Sequence, residues 1–367
     1  MKKRIAVWLH GGIGTGRFSQ GNPIIVKLLE KLSETFEVVV YSQSAPYHDF
    51  NVSFFQIRSA SHNVKNRLLR WLYLVRYFVH DHRGRKFQLL FAFWGYPTGV
   101  LVTCLQKIMK LPGVVYLQGS DAAGIPSVDF GVLHKPFQRF LAKWAYRETS
   151  RLLCMTKFQQ DSLLKHGISR AVYIIPCGVD LSMFKFRLKI PGSVLQIIHV
   201  GHLNRVKDQG TLLRAFAILI KQQPSRLRIF GVDCLGGQLQ KLCRELNIEK
   251  HVQFLDMLPH VEMPAQYGSA DIIFHTSLSE GQCMALTEAA ASGVLLAGTR
   301  VGLLYDLGDG YGITVEPGDY KNLAEKTISI LNKPEELKTK IELARRWSED
   351  HDLRWTVSQL TELLHSL

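Results

Sequence analysis

Short apolar runs alternate with longer amphipathic stretches along almost the whole chain. Runs at 4–9, 36–41, 89–93, 114–117, 152–155 and 171–175 read as buried strands. Stretches at 22–33, 98–109, 135–147 and 157–166 carry apolar residues at helical spacing and read as the helices between them. A second series opens with a strand at 194–200 and continues with a helix at 208–221 and strands at 227–230, 252–255 and 271–275. Strand–helix alternation run twice predicts an α/β protein built on two doubly wound, Rossmann-like parallel sheets. The stretch between the series, 176–192, has Pro176, Gly178, Pro191 and Gly192 and no periodicity, so it reads as a linker. The expected division is 1–180 and 181–350, followed at 351–367 by an amphipathic helix with Leu360, Leu363 and Leu364 on one side. No internal repeat or low-complexity tract is visible.

Composition narrows the class. The 367 residues, 46% of them hydrophobic, give each domain enough apolar surface for its own core. The six cysteines are scattered, with no paired spacing, which argues against a disulfide framework or a zinc site and fits a reducing cytosol. The basic start Met1-Lys2-Lys3-Arg4 mimics a signal peptide, but the apolar run after it stops at His10-Gly11-Gly12, so it reads as a first strand. No stretch has the length of a membrane span. The net charge of +14 is uneven: 1–188 holds 26 Lys and Arg against 10 Asp and Glu, and the remainder 19 against 21. A domain of +16 beside one of −2 calls for an anionic partner.

Candidate chemistry lies on three glycine-bearing loops that follow strands. In Gly11-Gly12-Ile13-Gly14-Thr15-Gly16, Gly12 and Gly14 let backbone N–H groups approach a ligand at a helix mouth. In Val200-Gly201-His202-Leu203-Asn204-Arg205-Val206-Lys207-Asp208, Gly201 is followed by Arg205 and Lys207, then by Asp208 as a helix N-cap. That layout suits a diphosphate. The third loop, Ser279-Glu280-Gly281-Gln282-Cys283-Met284-Ala285-Leu286-Thr287-Glu288, leads from a strand into an Ala-rich helix ended by Gly293. Glu280 sits on the loop and Glu288 about two turns along. A nucleotide sugar offers one set of hydroxyls on its sugar and another on its ribose, and one carboxylate can serve each. Gly281 permits close backbone approach, and the N–H groups of Gln282, Cys283 and Met284 leave the helix start toward a ligand.

Other features carry less. Gln118-Gly119-Ser120-Asp121 is a cleft-lining segment or a plain turn. His10, alone at the end of the first strand, reads as structural. His80-x-His82 and His199-x-x-His202 lack companion ligands, so no metal site is expected. Asp350-x-Asp352 reads as part of a solvated face. The segment 58–86 mixes eight basic residues with Leu68, Leu69, Leu72, Tyr73 and Tyr77. That composition suits the surface of an anionic bilayer, with a core helix of basic polar face as the alternative. No nucleic-acid recognition motif is visible.

In this order, the motifs resemble those of retaining glycosyltransferases of the GT-B fold in family 4, also called group 1. Ile175-Pro176-Cys177-Gly178-Val179-Asp180 is similar to that family's interdomain stretch, Val200-Gly201-His202-Leu203 with Lys207 to its diphosphate element, the Glu280–Glu288 pair to its signature glutamates, and Val301-Gly302 to the turn that follows. The resemblance implies two domains facing across a cleft, with the C-terminal helix crossing back to the first. It implies a UDP- or GDP-linked sugar held mainly by the second domain, an acceptor held by the first, and no required metal. Lys207, with Arg205, would meet the diphosphate. Glu280 and the backbone of Gln282 to Met284 would hold the sugar, and Glu288 the ribose. Three departures stand out: His202 where arginine is usual, Cys283 where glycine or proline is common, and Gln118 where histidine is frequent.

The resemblance and the basic first half together imply transfer to a lipid-linked or polysaccharide acceptor, as in cell-envelope polysaccharide biosynthesis. The expected place is the cytoplasm, peripheral at the inner face of the plasma membrane. The alternatives are a soluble enzyme making a small glycoside or disaccharide, and an inactive module of the same fold that acts by binding.

Overall fold

The computed structural model describes all residues except Met1, Gln20, His62 and Ile190. Met1 and Ile190, which belong to the basic start and the linker reading, thus lie outside the described residues. The chain forms two compact units. The first comprises Met1–Met155, Gln159–Pro176 and Trp355–Leu367, and the second Thr156–Phe158 and Cys177–Arg354.

Unit 1 is a seven-stranded parallel sheet of β1 (Arg4–Leu9), β2 (Glu37–Ser42), β3 (Gln56–Ser59), β4 (Leu89–Phe93), β5 (Gly113–Tyr116), β6 (Arg151–Cys154) and β7 (Tyr173–Ile174), in the order β3-β2-β1-β4-β5-β6-β7. Its helices are α1 (Pro23–Thr35), α2 (Arg67–Gly84), α3 (Val100–Met109), α4 (Pro136–Glu148) and α5 (Lys157–Lys165). Every residue of β1 and β4 is buried, as expected of central parallel strands covered on both faces. One face of the sheet, with Trp8, Tyr41, Leu90 and Val115, packs against Leu74 and Phe78 of α2, Val102 of α3, Ala142 and Tyr146 of α4, and Leu163 of α5. The sequence starts α1 cleanly: the Asn22 side chain accepts the N–H groups of Ile24 and Ile25, and Pro23 opens the helix where no donor is needed.

Unit 2 has six parallel strands, β8 (Leu195–Val200), β9 (Ser225–Phe230), β10 (Val252–Leu255), β11 (Ile272–His275), β12 (Leu295–Thr299) and β13 (Gly312–Val315), in the order β10-β9-β8-β11-β12-β13. Between and after them lie α6 (Gln209–Leu219), α7 (Gln238–Glu245), α8 (Met263–Gly268), α9 (Met284–Ser292), α10 (Leu303–Leu307), α11 (Tyr320–Leu331) and α12 (Pro334–Asp350). The last helix, α13 (Leu353–His365), groups with unit 1 from Trp355 onward. It is held there by Lys3 Nζ on the Leu364 carbonyl at 3.1 Å and by the Thr356 hydroxyl on the Pro176 carbonyl at 2.7 Å.

Two expectations change. The segment at 176–192 is not a free linker. Cys177, Val179 and Phe184 are buried, and a side chain at Gly178 would collide with the backbone of Asp352. Asp352 is therefore buried rather than on a solvated face, and only Asp350 is exposed. In both sheets the strand order reverses beside the first strand, between β1 and β4 and between β8 and β11. At such a point two successive loops diverge and leave a crevice beyond the carboxyl ends of the strands.

Candidate functional site

The loops that follow β8 and β11 meet at the unit 2 switch point. Asn204 caps a single 3-10 turn by accepting the Lys207 N–H at 3.1 Å, and Asp208 then caps α6. The second loop is tied to the first: the Leu278 N–H donates to the Val206 carbonyl at 2.8 Å, and the Thr276 hydroxyl to that of Asp208 at 2.9 Å. These bonds carry Lys207 and Glu280, 73 residues apart in sequence, to a separation of 2.6 Å between Nζ and Oε1.

Glu280 Oε1 also meets Nε2 of His275 at 2.8 Å and accepts from the Ser277 hydroxyl at 2.6 Å. All three bonds end on Oε1. Oε2 has no partner among the described residues. Burial opposes ionisation of Glu280, but Lys207 and His275 outweigh it and hold the carboxyl well below the usual range. Burial likewise works against charge on Lys207 and His275. Glu280 raises Lys207, and Cys283 together with Glu280 raises His275 to about 9. Two cationic groups, Lys207 and His275, therefore share the Glu280 carboxylate. His199, stacked on His275 at 5.9 Å, is pushed by burial down to about 3 and stays neutral, held between the Phe274 carbonyl and the Gln209 amide.

Glycines make this assembly possible. Gly201 has φ 155° and runs beside the Lys207 side chain. Gly302 has φ 53°, and a Cβ there would come within 2.7 Å of the Glu280 Cβ. Cys283 caps α9 at φ 76°, with Sγ 3.5 Å from Nδ1 of His275. A non-glycine residue in that region is strained, and strain of this kind gathers at functional sites. The start of α9 adds the positive end of a helix dipole.

The remaining candidates divide. Gly281 is buried, its carbonyl accepting from the Thr156 hydroxyl at 2.6 Å. The side chain of Gln282 is a clamp: its amide bonds both the N–H and the carbonyl of Cys177 at 2.8 Å, so only its backbone remains for a ligand. Met284 opens α9, half-buried. Glu288 belongs to a separate cluster, between His260 Nε2 at 2.8 Å and the Tyr267 hydroxyl at 2.7 Å. Arg205 is exposed and makes no ion pair among the described residues. Gly12 and Gly14 lie in unit 1, at φ 91° and 56°, against Trp94 and Phe50.

His275, Glu280 and Cys283 offer one potential metal ligand each within 4.8 Å of one another. Of these, the Glu280 carboxylate already pairs with the Lys207 ammonium through Oε1. The other spacings diverge: His80 and His202 are exposed, while His82 and His199 are buried and bonded internally. Gln118-Gly119-Ser120-Asp121 is a turn closed by the Gln118 N–H on the buried Asp121 carboxylate. Sequence reasoning missed His275, Ser277, His260 and Tyr267. The one available signal was that His275 ends a strand five residues before Glu280.

The chain matches two family models, "Glycosyltransferase Family 4" over 24–183 and "Glycosyl transferases group 1" over 183–349. It is 25% identical over 246 residues to a phosphatidylinositol N-acetylglucosaminyltransferase subunit from Arabidopsis thaliana, covering 65% of this chain and 53% of that protein. The chain spans about half the length of the curated relatives it matches. In fold it is similar to sucrose-phosphate synthase of Thermosynechococcus elongatus, with a TM-score of 0.84, 18% identity and 100% and 99% of the two chains covered. It is also similar to Anabaena HepE, solved with UDP and glucose, with a TM-score of 0.75, 18% identity and 100% of both chains covered.

The His275 charge predicts a pH signature. The stabilisation from a raised pKa is complete below the ordinary value of 6.5 and is lost as pH rises through about 9. Urea melts should find His275→Gln less stable than wild type at pH 6.5 by about 2 kcal/mol, the gap closing by pH 9.5. A gap that does not change with pH would contradict a charged His275.

Proposed function

We propose, from the fact that this chain belongs to the family 4, group 1 glycosyltransferases of GT-B fold, that it moves a sugar from a nucleotide-sugar donor to a lipid-linked or polysaccharide acceptor with retention at the anomeric carbon. Unit 2 binds the donor and unit 1 the acceptor. The observation that carries this reading is the Lys207–Glu280–His275 cluster at the unit 2 switch point, with Oε1 tied down and Oε2 open. A donor bound there presents two kinds of group, and the cluster answers both. The Lys207 ammonium suits the diphosphate, and the open carboxylate oxygen suits a sugar hydroxyl. Glu288, its carboxylate fixed by His260 and Tyr267, holds the ribose.

The mechanism follows from where charge develops. Breaking the bond between sugar and diphosphate leaves negative charge on the phosphate and oxocarbenium character on the sugar. Lys207 and the α9 N-terminus stabilise the former, aided by Arg205, with no metal required. The acceptor attacks from the face the diphosphate leaves, and the departing phosphate oxygen takes its proton. Supporting a nucleotide-sugar donor, Anabaena HepE was solved with UDP and glucose.

The acceptor is presented at the cytoplasmic membrane face. No helix among the described residues is long and apolar enough to cross a bilayer. On α2, however, Leu68, Leu72 and Tyr73 are 67%, 57% and 46% exposed, and Arg67, Arg76 and Arg83 are exposed beside them. An apolar stripe flanked by cations fits an anionic lipid surface. Arg58, which is paired with Asp81 at 2.9 Å, is taken out of that set.

Two experiments test the reading. In a screen of UDP- and GDP-sugars, wild type should hydrolyse or transfer at least one. Glu280→Ala and Lys207→Ala should each lower kcat by about 10²–10³ with the dichroism spectrum intact. Near-normal rates in both variants would end the assignment. In flotation, the chain should rise with vesicles containing phosphatidylglycerol, be released by salt, and bind about tenfold more weakly as Leu72→Glu. Absence of binding at any salt would remove the membrane from the account.

A further inference from the structure

Cys283 stands at the N-cap of α9 with φ 76° and ψ 90°, a backbone conformation that glycine adopts freely and a side chain resists. Two ordinary reasons for a side chain there fail. A polar N-cap residue accepts a helix N–H through its side chain, and Cys283 makes no such bond. A small core residue needs no directed contact, yet the buried Sγ lies 3.5 Å from Nδ1 of His275, its one hydrogen-bond contact among the described residues. The strained backbone is therefore kept for the sake of the sulfur.

The contact reaches the site through His275. That ring is fully buried; burial would lower its pKa, and Cys283 with Glu280 overcomes the effect and holds the ring charged. A charged imidazole carries hydrogen on both nitrogens, so Nδ1 donates to Sγ and Nε2 donates to Oε1 of Glu280 at 2.8 Å. Sulfur is a weak acceptor, but without it the Nδ1–H would be buried and unpaired. The charged and titratable groups around the ring come from three elements. Cys283 and Glu280 belong to the loop that enters α9, Lys207 to the loop after β8, and neutral His199 stacks on the ring from β8 itself. Of these, Cys283 is the one that bonds Nδ1. The imidazole is flat and rigid, so a direction fixed at one nitrogen is fixed at the other. Sγ, the ring, the Glu280 carboxylate and the Lys207 ammonium form one continuous chain of bonds.

We propose that Cys283 is a positioning residue for Glu280: through the His275 ring its sulfur fixes the plane of the carboxylate, and so sets the direction in which Oε2 meets a hydroxyl of the donor sugar. This deepens the reading above and rests on it, since it says how the sugar-reading carboxylate is aimed. Cys283 touches neither the diphosphate nor the reacting atoms through its sulfur.

The test uses the full chain and calorimetric titration of UDP, UDP-glucose, UDP-N-acetylglucosamine, GDP and GDP-mannose. Cys283→Gly suits the backbone angle, so it removes the sulfur without adding strain, and Cys283→Ser keeps an acceptor. In Cys283→Gly the affinity for the sugar-bearing form relative to its bare diphosphate should fall about fivefold, the worth of one hydrogen bond. The bare diphosphate should bind as to wild type, and Cys283→Ser should recover part of the loss. Added to His275→Gln, Cys283→Gly should cost nothing further, because the two act as one unit. A relative affinity unchanged in Cys283→Gly, or a full second loss in the double variant, overturns the proposal. If wild type binds none of the nucleotides, the donor reading fails instead. Urea melts then still judge the link: the losses of Cys283→Gly and His275→Gln should fall short of adding at pH 6.5 and should add by pH 9.5, where His275 has lost its charge. Additive losses at pH 6.5 would break the link between sulfur and ring.

Discussion

The bond between Lys207 and Glu280 is the constraint on which the rest of unit 2 is arranged. A carboxylate that is 13% exposed, beside an ammonium that is 20% exposed, loses most of its hydration. Such a pair persists only when further hydrogen bonds make good the loss. His275 and Ser277 supply them from the same loop, and the stitches between that loop and the residues after β8 keep all four groups in register. Stability alone does not ask for this: a well-packed apolar cluster would serve the fold as well or better. The arrangement makes sense as a preorganised field, with one carboxylate oxygen left unused.

The two sheets repeat one topology and equip it differently. Each reverses its strand order beside its first strand. In unit 2 the crevice is polar and charged, with Lys207 and Glu280 at its centre. In unit 1 the corresponding place holds His10 and the Trp94 indole, with glycines to let the backbone pass. The charge division follows the same line: unit 1 holds 23 Lys and Arg against 10 Asp and Glu, a charge of +13, and unit 2 holds 22 against 21, a charge of +1. The excess positive charge therefore belongs to the unit assigned to the acceptor. On the proposed reading, donor recognition in unit 2 rests on placed charges rather than on net charge.

Much of this was legible in the sequence, for physical reasons. Central parallel strands are buried on both faces, so β1, β4 and β11 appear as unbroken apolar or nearly apolar runs, and their bounds follow closely. The edge strand β3 gave no such signal, and the run at 171–175, read as a buried strand, is only partly one. β3 is the polar tetrapeptide Gln-Ile-Arg-Ser, and β7 shrinks to Tyr173 and Ile174, both exposed. β12 and β13 are short and glycine-bearing and escaped notice. Loop spacing pointed to Lys207 and Glu280, which the fold brings together, and to Glu288, which lies in a separate cluster. The residues that fix their charges are different. His275, His260 and Tyr267 act through contacts that only the folded sheet creates, and a lone histidine or tyrosine in a sequence does not declare its partner. For Gln282 the motif suggested a contact through the backbone N–H, and the fold adds a side-chain clamp on Cys177 that the sequence did not announce.

The central claim is that Lys207 anchors the donor's diphosphate while Glu280 reads the sugar attached to it. Calorimetric titration of UDP, GDP and the matching sugar nucleotides into wild type, Lys207→Ala and Glu280→Gln separates these roles. Lys207→Ala should weaken the bare diphosphate at least tenfold, about 1.4 kcal/mol. Glu280→Gln should bind the diphosphate much as wild type does and lose the preference for its sugar-bearing form. Wild-type affinity of Lys207→Ala for both diphosphates would contradict the account.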